Sequence, residues 1–184
     1  MKKILLSALA VVGVTIAANA QNASATATQA VSLTLSNAIA ITFTGSGTST
    51  GGAVTLPFST VSDYANGVTS TAQQLKVQSN LAFDVAVKAN ATNFTYTGTY
   101  TTGTTMPVSG VLKLMVTANS TGGSVASPFS TTAYSTLTAS DQNLITSGTY
   151  GSNQLFSIQY KADPGFTYPA GTYATSVVYT ATQQ

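Results

Sequence analysis

The chain has 184 residues, 43% of them hydrophobic and only 5% charged, with six Lys, four Asp and no His, Cys or Trp. Arg and Glu are missing too, which takes away the usual general base, thiolate nucleophile and guanidinium clamp, most metal ligands, and any disulfide. The net charge of +2 rests on Lys2 and Lys3 alone, because Lys76, Lys88, Lys113 and Lys161 balance Asp63, Asp84, Asp141 and Asp163, so the rest of the chain offers no basic footprint for nucleic acid.

Lys2 and Lys3, the apolar stretch from Ile4 to Ala18 and the small-residue site Ala18-Asn19-Ala20 read as a secretory signal peptide over residues 1–20. The stretch is too short for a membrane anchor, and export by the Sec route is the expectation. Ala25 to Leu35 then alternates, with Val31, Leu33 and Leu35 on one face. After a break at Ser36-Asn37 the same parity continues through Ile39, Ile41 and Phe43. A Gly- and Ser-rich loop covers residues 45–52. Val54, Leu56 and Phe58 mark a further strand, and Leu75 with Val77 another, joined by a polar connection that contains Asp63 and Gly67. Leu81, Phe83, Val85 and Val87 give the clearest alternation, with Asp84 and Lys88 on the opposite face. A tight turn at Asn80 would make these last two strands a hairpin and set Asp84 beside Lys76 or Lys88.

A Thr-rich stretch over 92–105 precedes a near-continuous apolar run from Val111 to Ala118, which reads as a central strand. Leu155 to Lys161 presents Phe156, Ile158 and Tyr160 together, and Asp163-Pro164-Gly165 is a turn. Gly171 to Gln184 reads as one uninterrupted strand with Tyr173, Val177, Tyr179 and Ala181 on one parity. Seven or eight strands with no helix between them predict an all-β fold, an immunoglobulin-like antiparallel β-sandwich. The last strand carries no proline and no charge, so its edge must be covered or used to build an assembly.

Catalysis finds little footing. Ser109 with Lys113, and Ser157 with Lys161, are spaced as surface neighbours on strands, and the aspartates stand in turn-like contexts that favour local hydrogen bonding. Tyr96 and Tyr100 fit a strand or loop packed on the sandwich better than a sugar-stacking platform. Asn22, Asn90, Asn93 and Asn119 match the N-glycosylation pattern at the frequency that a Ser/Thr-rich chain produces. The expectation is a protein that is not an enzyme and takes no cofactor or metal.

The terminal run resembles the C-terminal strand of chaperone-usher pilins, the subunits of bacterial fimbriae. That motif has a glycine fourteen residues from the end, matched by Gly171, an aromatic two residues later, matched by Tyr173, and then alternating apolar places, matched by Val177, Tyr179 and Ala181. Gln183 stands where the motif carries an aromatic. The phrase from Pro169 to Tyr173 is close to the endings of archaic and spore-coat-like pilins, and loosely to exported β-sandwich domains of Bacteroidetes.

The resemblance implies a sandwich lacking one strand, completed by a donor strand from the next copy. Residues 21–36 are then the extension, with Val31, Leu33 and Leu35 as donor plugs, and 37–184 the pilin-like domain. Gly171, Tyr173, Val177, Tyr179 and Ala181 line the acceptor groove. An alternative parsing makes Val31 to Phe43 the first body strand. Implied partners are copies of the chain in a filament, a periplasmic chaperone and an outer-membrane usher, with the fimbria on the cell surface. The competing expectation is a self-complete exported sandwich that binds glycan or protein.

Overall fold

Strands with one apolar face are stable only when two such faces close on each other. The computed structural model describes residues 24–184; the expected signal peptide and residues 21–23 of the extension lie outside the described residues. In chain order the elements are β1 (Ile39–Phe43), α1 (Val61–Asn66), β2 (Val68–Thr69), β3 (Gln73–Ser79), β4 (Phe83–Ala89), β5 (Thr95–Thr97) and β6 (Leu112–Ser120). They continue with β7 (Ser124–Val125), β8 (Ser135–Thr136), β9 (Gln142–Gly148), β10 (Gly151–Ala162), β11 (Thr172–Ala174) and β12 (Val177–Gln183). One sheet has the order β1-β3-β10-β6-β8 with β2 also beside β10, the other β12-β4-β9-β7, and β5 pairs with β11 as a separate ribbon. Every pairing is antiparallel. The fold is an all-β antiparallel sandwich, and its compact unit spans Ser36–Gln184.

The alternation works as expected in the core. Leu75 and Val77 of β3, Leu114 and Val116 of β6, and Phe156 and Ile158 of β10 face Phe83, Val85 and Val87 of β4 with Leu144 and Ile145 of β9, all buried. The most central strand of the first sheet is β10, with β6 beside it.

Three readings from the sequence need correction. First, β3 and β4 are not a hairpin: they lie in opposite sheets, and the turn at Asn80 carries the chain from one to the other. Their inward residues meet across the core, so Asp84 faces neither Lys76 nor Lys88. Its carboxylate accepts from Ser147 N at 2.8 Å and from Gln184 Nε2 at 2.7 Å, and the first of these supports Ser147 in a left-handed conformation, φ 56°. Lys88 pairs with Asp141 and Lys113 with Asp163, each at 3.0 Å.

Second, Val54, Leu56 and Phe58 lie in a segment that forms no strand. Leu56 still packs on the core, and Phe58 meets Tyr64 at 5.3 Å between ring centroids. Third, the polar connection contains a helix, α1. Thr60 Oγ1 accepts from Asp63 N, while Asp63 Oδ2 accepts from Ser59 N and Thr60 N, closing a capping box. Those backbone donors hold the Asp63 carboxyl below its usual range. The strand β9, which the sequence reading passed over, escapes the alternation rule because Leu144 and Ile145 are adjacent and both buried; the pairing with β4 shifts register there, as a β-bulge does.

Residues 24–38 form no strand, so the ladder of β1 begins only at Ile39. Val31, Leu33 and Leu35 are 78%, 79% and 84% exposed.

Gly148 shows how tightly the core is filled. A Cβ there would sit 2.6 Å from Phe83 Cζ, and the Phe83 ring is fully buried. Gly148→Ala should therefore destabilise the fold by ~1–3 kcal/mol through overpacking. Adding Phe83→Leu, which itself costs stability, should produce a loss smaller than the sum of the two single losses, as read by denaturant unfolding of both single variants and the double.

Candidate functional site: an open seam between two sheet edges

Because the Asn80 corner joins β3 to β4, the strands outside them, β1 and β12, run along the same side of the sandwich. Among the described residues neither has a second strand neighbour. The phase of each ladder shows which backbone groups are left over. Asn80 N donates to Ala38 O and Thr44 N to Gln74 O, so the even-numbered residues of β1 bond to β3, and the N–H and C=O groups of Ile39, Ile41 and Phe43 point outward. Gln184 N donates to Ala82 O and Asn90 N to Ser176 O, so the even-numbered residues of β12 bond to β4. The outward groups there belong to Val177, Tyr179, Ala181 and Gln183. Among the described residues only Phe43 is served locally: its N–H donates to Thr48 O, and its carbonyl accepts from Gly47 N, both at 2.8 Å.

Between the two edges lies a shallow apolar seam. Ile41, Phe43, Val177, Tyr179 and Ala181 are all half-buried on the core, and a cavity of about 180 Å³ is lined by Ile41, Phe43, Ser49, Leu75, Val177 and Tyr179. The rings of Phe43 and Tyr179 meet edge to face at 6.0 Å, and Phe156 lies 6.4 Å below Tyr179. One end of the seam is bounded by the loop after Phe43. At the other, Gln183 Nε2 reaches across to Ala38 O at 2.9 Å, Ser79 Oγ at 3.0 Å and Asn80 Oδ1 at 2.9 Å.

The groove residues expected from sequence divide into two groups. Val177, Tyr179 and Ala181 line the seam together. Gly171 and Tyr173 do not, because the terminal run is broken at Thr175 and Ser176, where Asn90 Oδ1 accepts from Thr175 Oγ1 and Ser176 N, both at 3.0 Å. Upstream of that break the chain pairs with β5 instead of β4. Tyr173 packs at a tilt on Tyr96, 4.9 Å between ring centroids, and donates to Pro169 O at 3.0 Å, while Tyr96 donates to Ala170 O at 3.0 Å. Gly171 is a glycine because the Tyr96 ring lies where its Cβ would be. These tyrosines close a local ribbon and do not reach the seam.

Sequence reasoning overlooked Ile41 and Phe43 as the facing wall of the seam, and it treated Gln183 only as a departure from a motif. The available signal was parity: Gln183 shares the inward face of Val177, Tyr179 and Ala181, where an amide needs partners. Asn90 and Asn119 of the N-glycosylation pattern are engaged in the fold, Asn119 Nδ2 donating to Gly123 O at 2.9 Å. Among the described residues no helix is long and apolar enough to cross a membrane. No protein-family model matches the chain, and no curated protein matches it in sequence.

Under the seam, the hydroxyls of Tyr160 and Tyr179 share a hydrogen bond of 2.7 Å. Burial disfavours both phenolates: Tyr160 is pushed up to about 12, and Tyr179 well above its ordinary value. A pKa raised in the folded state means that this stabilisation is complete below pH ~10 and is lost as pH climbs through the folded pKa of about 12. Stability should thus fall by on the order of 2 kcal/mol across that window. The double variant Tyr160→Phe/Tyr179→Phe should start less stable but show a flatter alkaline limb, as measured by denaturant melts at neutral and alkaline pH.

Proposed function

We propose that the chain is the structural subunit of an extracellular filament, a fimbria-like polymer in which each copy donates residues 24–35 to the seam of the next. The observation that carries this reading is a double vacancy within one chain. Two strand edges flank the seam with outward N–H and C=O groups and, among the described residues, no second strand neighbour, while three alternate apolar residues, Val31, Leu33 and Leu35, are exposed and belong to no strand.

Strand addition answers both needs at once. Backbone hydrogen bonds supply affinity along the edge, and the alternate side chains enter the seam. Each buried Val or Leu contributes roughly 1.5–3 kcal/mol relative to exposure, so three plugs outweigh much of the ordering cost of an extended segment. An exported chain without cysteine also gains from a permanent extra strand, since it has no disulfide to close its edge. The partners that accompany this reading are further copies of the chain, a periplasmic chaperone that occupies the seam before assembly, and an outer-membrane usher.

The second reading is a self-complete surface module that binds glycan or protein. The Phe43–Tyr179 contact favours it, because that pair bridges the two edges without a donor.

Leu33→Asp separates the two. Leu33 is 79% exposed in the single chain, so the substitution should leave thermal unfolding of the monomer within about 0.5 kcal/mol of the parent. On the filament reading it should abolish polymers seen by negative-stain electron microscopy and light scattering, since it drives an unpaired carboxylate into an apolar seam. Parent protein that stays monomeric at high concentration would favour the self-complete module, and filaments unaffected by Leu33→Asp would exclude Leu33 as a donor plug.

A further inference from the structure

The polar connection ahead of β2 holds the one Asn-Gly pair of the chain, Asn66-Gly67. An asparagine before glycine is the place where a side-chain amide turns into an acid most readily, because the next residue has no side chain to hinder its own backbone nitrogen. We infer that Asn66 is a site of spontaneous deamidation and that α1 is its guard, so that the reaction runs only when the helix opens. The inference is independent of how copies of the chain assemble.

The chemistry needs no catalyst and no co-reactant but water. Gly67 N attacks Asn66 Cγ to form a five-membered imide; the Cγ–Nδ2 bond breaks, and Nδ2 leaves as ammonia with the proton from Gly67 N. Water then opens the ring at one of its two carbonyls. Opening at Cγ gives aspartate. Opening at the backbone carbonyl of residue 66 gives isoaspartate, whose main chain passes through the former side chain and is one carbon longer.

In the folded chain both reacting groups are occupied. Gly67 N–H donates to Asp63 O at 2.8 Å, which turns the nucleophile into the helix. Asn66 Nδ2 donates to Ser62 O at 3.0 Å and to Ser62 Oγ at 3.1 Å, one turn back. These bonds must break before Gly67 N can meet Cγ.

The guard is a weak one. α1 has six residues, none of them buried and none basic in its last turn, and a helix so short does not persist in water by itself. It is held by the capping box of Thr60 and Asp63 and by the contacts of Tyr64 with Phe58 and Phe166. Such a segment opens locally far more often than the whole domain unfolds. Asn66 is exposed, so water reaches the imide as soon as it forms.

The product would not leave its surroundings unchanged. Gly67 leads straight into β2, a Cβ on it would sit 2.6 Å from Ala162 O, and Val68 and Thr69 pair with Ala162 and Lys161 of β10. A longer main chain at residue 66 displaces this turn. The new carboxylate also stands at the C-terminal end of α1, where the helix dipole opposes it. The reacted helix therefore opens more readily than the parent.

The test incubates the full chain at one pH, folded and in denaturant, and follows conversion at Asn66 by peptide mass spectrometry. The folded chain should convert about tenfold or more slowly than the denatured one, because opening limits the reaction. Thr60→Ala removes the capping hydroxyl and should raise the folded rate about fivefold while leaving the denatured rate alone. Asp63→Ala, which removes the other half of the box, should act in the same direction. Hydrogen exchange at Gly67 N–H requires the same bond to break and should accelerate by the same factor in each variant. Asn66→Gln should abolish the conversion in both states, which assigns the signal to this residue.

Equal rates in the folded and denatured chain would overturn α1 as the guard while leaving Asn66 a site. Faster exchange at Gly67 in a capping variant, with conversion unchanged, would overturn helix opening as the gate. No conversion at Asn66 even in denaturant would overturn the site itself.

Discussion

The short corner at Asn80, which carries the chain from β3 in one sheet to β4 in the other, decides where the open edges of this sandwich lie. Had β3 and β4 formed a hairpin, β1 and β12 would have flanked a single sheet on opposite sides. Crossing between sheets instead puts them along the same side, with Ile41 and Phe43 facing Val177 and Tyr179. The corner is held by side-chain hydrogen bonds that stand in for a ladder: Asn80 ties Ser36 and Ala38, Ser79 Oγ reaches Leu81, and Gln183 joins all of them from the far edge. Residues Ser36 and Ala38 and the end of β12 therefore share one polar cluster.

A chain with four aspartates, six lysines and no cysteine must hold together by other means than charge or cross-links. Here the means are a dry core between two sheets and many short side-chain-to-backbone bonds from Ser, Thr, Asn and Gln. No buried side-chain polar atom among the described residues lacks a partner. The four aspartates serve this architecture: Asp63 caps α1, Asp84 supports a left-handed serine, and Asp141 and Asp163 pair with lysines. Such isolated, partly exposed pairs contribute little on their own, so the apolar faces and the ladder carry most of the stability.

The open side of the sandwich is the exception to this completeness. An edge strand with alternating apolar residues, no proline and no charge lacks the usual protections against pairing with another chain. In the strand-addition reading that liability becomes the means of assembly, and the aromatic floor formed by Phe43, Tyr179, Phe156 and Tyr160 gives an entering strand an apolar bed. Phe58, Tyr64 and Phe166 form a separate stack near α1, remote in sequence from the seam, which covers the helix face.

Period-two alternation was enough to read β3, β4, β6 and β10, because in each the buried residues are every second one, and it also marked β1 and β12, whose inward residues are only half-buried. The same rule also marked Val31, Leu33 and Leu35 and placed Val177, Tyr179 and Ala181 on one face. It failed where burial and period part company. β9 hides a bulge, Val54 to Phe58 alternates without any strand to pair with, and the capping box of Thr60 and Asp63 lay unread inside a polar connection. At Thr175 and Ser176 the strand ends because Asn90, distant in sequence, captures it, and Gly171 with Tyr173 goes to a different ribbon. The sequence by itself determined which residues share a face, since that follows from the pleat of a single strand. Only the tertiary structure decided which strands are neighbours, which edges stay open and what closes them, because these depend on contacts between segments with no local signature.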